Sequence, residues 1–180
     1  MAGRIDETLA FVPVRIAVLT VSDTRTPETD KSGDTLAARI TEAGHALTGR
    51  AIVPDEIDAI RAQIRSWCSN AMADAIITTG GTGLTGRDVT VEAVRPLFDK
   101  EIDGFAAIFH QISFGIIGTS TLQSRACAGV ISGVYVFCLP GSPGAVRDGW
   151  DHILKSQLDS RHRPCNFVEI MPRLMEHLQR

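Results

Sequence analysis

Metal-binding patterns are missing from this chain. His45, His110, His152, His162 and His177 form neither an H-x-x-x-H nor an H-E-x-x-H spacing, so histidine ligation of a metal is not expected. The four cysteines, Cys68, Cys127, Cys138 and Cys165, contain no C-x-x-C pair, which excludes the usual zinc and dithiol motifs and points to free thiols in a reducing cytosol. No serine stands in a G-x-S-x-G elbow and no cysteine has an evident base beside it, so covalent catalysis lacks its usual parts. A dominant charge is also absent. The net charge of −3 gives no electrostatic footprint for nucleic acid or an anionic membrane, and neither is expected as a partner. No run approaches the roughly eighteen consecutive apolar residues of a membrane span. The opening MAGRIDETLAF is acidic and has no apolar centre, unlike a secretory signal. The cytoplasm is the expected compartment.

What is present suits one domain with one sizeable core: 180 residues, 44% hydrophobic. It is expected over 14–172, with a flexible arm over 1–13 and a basic tail whose last part is 173–180. Val14–Val21 is a nearly continuous β-branched run, as in a strand buried on both faces. Ser32 is placed to cap a helix carrying Leu36, Ala37, Ile40 and Ala43 that stops at Gly44. A strand over Ala46–Val53 follows. Next is a helix over Glu56–Asn70, capped by Asp55, with Ile57, Ile60, Ile64 and Trp67 as its buried stripe. A strand over Ala75–Thr79 leads to a helix from Val91 to about Phe98, with Thr90 as its cap. Asp103 could cap a helix over Gly104–Ile112 with Phe105, Ile108, Phe109 and Ile112 at core spacing, and 115–121 is expected to be irregular. Ala126–Ile131 and Val134–Leu139 flank Ser132-Gly133 as a hairpin. Ser142 and Pro143 open a helix to about Leu158. The β-α-β-α-β-α order predicts an α/β fold, a mostly parallel sheet with helices on both faces and one antiparallel hairpin strand.

The stretch AIITTGGTGLTGRDVTVE, Ala75–Glu92, organises the rest. Its glycines permit positive φ and close approach to main-chain N–H groups, a natural seat for phosphate. Gly81-x-Gly83-x-x-Gly86 satisfies the dinucleotide fingerprint, but Thr85–Asp88 prolongs the loop before the helix begins, which counts against nicotinamide binding. Gly81 and Gly86 also begin a P-loop, yet Arg87 and Asp88 replace its lysine and hydroxyl. Four loops, Ser22–Arg25, Pro54–Glu56, Gly80–Asp88 and Pro140–Gly144, emerge at one edge of a parallel sheet. Asp23, Asp55 and Asp88 lie on that edge, and carboxylates beside phosphates imply a divalent cation, usually magnesium. Each acid has a plainer role open to it: Asp55 as a helix cap, Asp23 bonding its own turn, Asp88 pairing with Arg87. Ser124 and Arg125 could reach the edge, or Arg125 could serve a structural ion pair.

TTGGTGLTGRDVTVEA, IVPDE, STLQSRACAGV and PGSPGAV together resemble the MoaB/MogA family of molybdenum cofactor biosynthesis proteins, over roughly Arg15–Phe167. QLDSRHRPCNF and GTSTLQSRA are more similar to its MoaB branch. The resemblance implies a three-layer α/β/α domain assembled as a homo-oligomer, a hexamer favoured over a trimer. It also implies adenylylation of molybdopterin by ATP with magnesium, releasing pyrophosphate. Carried over by motif, Gly80, Gly81, Thr82 and Gly83 would cradle the molybdopterin phosphate, with Ser124 and Arg125 beside them. Asp55 and Asp88 would be the catalytic acids and the magnesium ligands. Ser22, Asp23, Gly141, Ser142 and Gly144 would form the nucleotide side. Val91 replaces a proline common after DVT in the family, which touches only helix initiation. Some MoaB-branch members lose the PDE and RDV acids, which implies binding without catalysis; this chain keeps both Asp55 and Asp88. The alternative is a non-catalytic pterin-binding or scaffold protein of the same pathway.

Overall fold

The computed structural model describes residues 3–178. The arm is tied down: β1 (Arg4–Ile5) pairs antiparallel with β8 (His162–Arg163), and Phe11 packs against His45 with the two rings tilted by 45°. The main sheet runs through β2 (Arg15–Val21), β3 (Ala46–Val53), β4 (Ala75–Thr79), β5 (Lys100–Glu101), β6 (Cys127–Ile131) and β7 (Val134–Leu139), in the spatial order β3-β2-β4-β7-β6-β5. β3, β2, β4 and β7 are parallel, and β6 pairs antiparallel with both β7 and β5. Positive φ at Ser132 (+49°) and Gly133 (+80°) closes the expected hairpin.

Because side chains alternate along a strand, the sheet feeds two cores. Ile16, Val18, Ala75 and Ile77 pack with Leu36 and Ile40 of α1 (Lys31–Glu42). They also meet Phe105 and Phe109 of α4 (Asp103–Ile117), and Val146 of α5 (Pro143–Gly149). Ala17, Leu19, Val21 and Ile76 pack on the opposite side with α2 (Ile57–Ser69) and α3 (Thr90–Val94). The result is the three-layer α/β/α arrangement. After α5 the chain makes a π-helical turn over Trp150–Leu154, then α6 (Lys155–Gln157), so one long helical segment fills the interior to Leu158. Further on, α7 (Phe167–Ile170) lays Phe167 against Tyr135 and Phe137.

Several helix boundaries differ from the sequence reading. Asp30, not Ser32, is the N-cap of α1 and accepts from Gly33 N. Val89 precedes α3, which stops at Val94; Pro96 then sits in a 3₁₀ turn over Arg95–Leu97. Asp55 caps nothing: α2 starts after Glu56 with no side-chain cap, and Ile57 is exposed. Asp103 is the first residue of α4 rather than its cap. That helix runs through Gly115 to Ile117 and passes into a 3₁₀ segment, Gly118–Gln123. Asp103–Gln123 is long and apolar enough to cross a membrane by length and composition alone. Its inner residues Phe105, Phe109 and Ser113 are nevertheless buried against the sheet, while Ile108 faces outward.

Candidate functional site

The chain leaves β2 to build β3 on one side, then crosses back to place β4 on the other. The strand order therefore reverses between β2 and β4, and open α/β sheets hold ligands in that crevice, beyond the carboxyl ends of the strands. The loops Ser22–Arg25 and Gly80–Gly83 leave from those two strands. The Pro140–Gly144 turn leaves β7, the next strand along.

Hydroxyl groups fasten these loops together. Thr79 Oγ1 donates to Pro140 O at 3.0 Å, Thr90 Oγ1 to Gly80 O at 2.8 Å, and Ser32 Oγ to Gly141 O at 2.8 Å. Gly80 N donates to Leu139 O at 3.1 Å. The two glycine turns touch, since a Cβ on Gly141 would lie 3.1 Å from Gly80 Cα. Gly81 has φ +65°, and a Cβ there would fall 2.3 Å from Thr90 Oγ1 and 3.0 Å from Asp55 Oδ1. Only glycine suits that backbone and that approach. The N–H groups of Gly81, Thr82, Gly141 and Ser142 have no partner among the described residues, which leaves main-chain donors free for an anion.

The acids surround this pair of turns. Asp55 reaches Gly81, and a Cβ on Gly83 would lie 2.6 Å from Asp88 Oδ2. Asp23 N donates to Asp55 Oδ2 at 2.8 Å, and Asp55 N returns the bond to Asp23 Oδ1 at 3.1 Å. Arg87 donates to both oxygens of Asp23, at 2.9 and 2.8 Å, so Arg87 pairs with Asp23 and not with its neighbour Asp88. Asp88 Oδ2 accepts from Thr85 N at 2.8 Å and Thr85 Oγ1 at 2.6 Å. Burial raises the Asp55 pKa, with the nearby Asp23 and Asp88 charges adding to it against a backbone bond from Asp23 and the Arg87 charge. At Asp88 burial acts in the same direction, but the bonds from Thr85 and Gly83 and the Arg125 charge outweigh it and lower the pKa. Two carboxylates at one turn are thus driven apart.

Arg125 lies among these residues as a brace. Its Nε donates to Gly83 O at 2.9 Å and its Nη2 to Asp88 O at 3.0 Å, and it pairs with Glu92. Its backbone N donates to Thr82 O at 2.9 Å. Ser124 Oγ donates to Thr121 O at 3.2 Å. Arg125 thus serves a structural ion pair, and its guanidinium fixes the shape of the glycine turn.

Two hollows adjoin the glycine turns, and a third lies beside the Ser22–Arg25 loop. A central one of about 270 Å³ is lined by Ser22, Arg25, Asp30, Asp55, Gly80, Gly81, Asp88 and Gly141. A second, about 460 Å³, lies towards α4 and is lined by Gly81, Thr82, Gly83, Asp88, Phe109, Ser124, Gly141 and Ser142. A third, about 710 Å³, runs along the edge strand β3 past Ser22, Asp23, Arg25, Pro27, Val53 and Pro54. Ser142 therefore shares a hollow with Gly83 and Ser124, and Ser22 lies on the other side of the Gly80–Gly141 contact. Ser142 Oγ caps α5 by accepting from Ala145 N at 3.1 Å, and Gly144 lies within that capped turn. Asp30 is a site-wall residue that the sequence reading passed over. Its buried carboxylate accepts from Thr20 Oγ1 at 2.7 Å, Gly33 N at 2.9 Å and Arg50 Nη2 at 3.0 Å. The signal was an aspartate three residues before Gly33 at a helix start, as good a cap as the serine chosen instead.

Fold and rim together define a class: an open, doubly wound α/β domain with a glycine-lined cleft at the switch point of its sheet. Residues 17–160 match the family model described as a probable molybdopterin binding domain, and the chain belongs to that family. It is 50% identical over 157 residues to molybdenum cofactor biosynthesis protein B of Escherichia coli (strain K12), covering 87% of this chain and 92% of that protein. A crystal structure of a molybdenum cofactor biosynthesis protein B superposes with a TM-score of 0.84 at 41% identity, over 93% of this chain and 99% of that one. The tungsten cofactor synthesizing protein MoaB from Pyrococcus furiosus superposes with a TM-score of 0.69 at 32% identity, over 93% and 98%.

Proposed function

We propose that this chain works in molybdenum cofactor biosynthesis, binding molybdopterin and adenylylating it with MgATP in the cytoplasm. The observation that carries this reading is the pair of touching glycine turns with a carboxylate at each side, Asp55 against Gly81 and Asp88 against Gly83. The relatives support the pathway by their names, and their near-complete coverage supports a whole domain of the same kind.

In this reading the molybdopterin phosphate rests on Gly80–Gly83, and the nucleotide runs past Ser22, Asp23, Gly141, Ser142 and Gly144. The two phosphates would join beside the Gly80–Gly141 contact, where the central hollow and the one towards α4 share Gly81, Asp88 and Gly141. A phosphate oxygen of molybdopterin attacks the α-phosphorus of ATP, the bond to the β-phosphate oxygen breaks, and pyrophosphate leaves with that electron pair. The nucleophile is already anionic, so no general base is required, which agrees with a rim that has no histidine. The chain's task is alignment and charge compensation. The free N–H groups of both turns donate to phosphate oxygens, and Arg125 keeps the first turn in shape. The donor set fits magnesium, which takes one or two carboxylates and completes its shell with phosphate and water. When bound, it would be held by Asp55 and Asp88 and would supply the counter-charge.

Purified protein with ATP, magnesium and molybdopterin is expected to release pyrophosphate. Asp88→Asn should fold normally, keep pterin binding and lose turnover by about 100-fold, the scale of removing one electrostatic partner of a transition state. Unchanged turnover removes Asp88 from the reaction. Pterin binding by the wild type without pyrophosphate release would make the chain a scaffold of the pathway.

A further inference from the structure

Arg25 stands apart from the other cations of the rim. Arg87 is held by Asp23, Arg50 by Asp30 and Asp34, and Arg125 by Glu92. Arg25 makes no ion pair among the described residues; its one side-chain bond runs from Nη1 to Thr29 O, at 3.3 Å. It lines both the central hollow and the edge hollow, and with Ser22 it is common to the two. The central hollow is otherwise walled by three carboxylates, those of Asp30, Asp55 and Asp88, and by the glycines of both turns. The Asp30 charge is met by Arg50 and Thr20. An anion entering the hollow would therefore meet open main-chain donors and a single uncommitted guanidinium.

We propose that Arg25 binds the phosphate chain of the nucleotide, holding the end that lies away from the glycine turns. The assignment rests on the nucleotide reading given above and adds a residue to it. Arginine suits the task because its planar fork of donors matches phosphate oxygens, and it keeps its charge at any working pH. Its weak present bond costs little to exchange for a ligand. A second source of the same chemistry is the single phosphate of the pterin; a polyphosphate is favoured because Arg25 also lines the edge hollow, which no residue of the glycine turns reaches.

The test is calorimetric titration of the full chain with inorganic tripolyphosphate and, separately, with inorganic phosphate, both without divalent metal. Arg25→Gln should weaken tripolyphosphate binding about 10–100-fold, the range of a charge-assisted hydrogen bond, and Arg25→Lys should recover part of the loss. The slope of affinity against salt should fall by about one charge in Arg25→Gln, a change that a loosened Thr26–Thr29 loop would not produce. Phosphate binding should change little. Wild-type affinity for tripolyphosphate in Arg25→Gln, in a protein that still releases pyrophosphate, overturns this inference and leaves the proposed function standing. Intact Arg25-dependent binding without pyrophosphate release does the reverse. Equal weakening of both anions would place a single phosphate at Arg25 and overturn the assignment to the nucleotide chain.

Discussion

His45 is enclosed by Phe11, by the edge of Trp150 and by the start of β2, where its Nδ1 accepts from Val14 N at 3.2 Å. That bond requires an unprotonated Nδ1, and burial lowers the pKa below the ordinary 6.5, with the Asp159 charge opposing it. Well above 6.5 the group is neutral whether folded or unfolded, so its contribution is fully present and stability does not vary with its titration. As pH falls through 6.5 the unfolded chain takes up a proton that the folded chain refuses, so stability declines until the lower folded pKa is passed. The thermal midpoint of His45→Gln should therefore fall less than that of the wild type between about pH 7 and about pH 5, as followed by circular dichroism. Gly81 makes a second prediction. Gly81→Ala must hold φ +65° and clear Thr90 Oγ1; the left-handed backbone alone costs about 1–2 kcal/mol. An unfolding free energy from urea denaturation lowered by at least that much, with anion binding lost, is the expected result. The four clustered glycines made this turn legible in the sequence. The buried state of Asp30 was not legible, because a polar loop gives no sign of which carboxylate will turn inward.

Among the elements, strands were read more closely than helix ends. Ala46–Val53, Ala75–Thr79 and Val134–Leu139 form as expected, since β-branched and apolar runs bounded by turn residues leave little choice of register. The helix starts went astray for a common physical reason. Ser32, Thr90 and Asp55 each sit where a cap belongs, but each gives its side chain to a distant partner: Gly141 O, Gly80 O and Asp23 N. Local pattern cannot show a bond across 109 residues of chain. The same bonds hold the rim, so misplaced caps marked the site. Ser32→Ala should cost about 1 kcal/mol in chemical denaturation and weaken anion binding, by freeing the Pro140–Gly144 turn from α1. Unaltered binding would show that Thr79 and Gly80 hold that turn unaided.

For the whole molecule, the outer side of α4 and the following 3₁₀ segment is the telling surface. Phe114, Ile116, Ile117 and Leu122 are 53–72% exposed, a contiguous apolar stretch of the kind that marks protein contacts. The MoaB/MogA resemblance implied a homo-oligomer, and this face is where we propose that copies meet. Phe114→Glu with Leu122→Glu should shift the mass measured by light scattering to that of one chain, without loss of helix content. A wild type already of monomer mass would remove the proposal. The sequence showed α4 as apolar but assigned Ile108 to the interior; a helix that is apolar on most sides does not reveal which side its own sheet covers.

The first and last described stretches, near Arg4 and Met175, gather at the pole opposite the cleft. Arg4 and Ile5 lie alongside Arg163 and His162, Phe11 covers His45 at the foot of β3, and Met175 rests on the hairpin turn at Gly133. A fusion partner, purification handle or sensor-surface tether joined before Arg4 or following Leu178 would thus hang on the far side from the cleft and leave its mouth unshadowed.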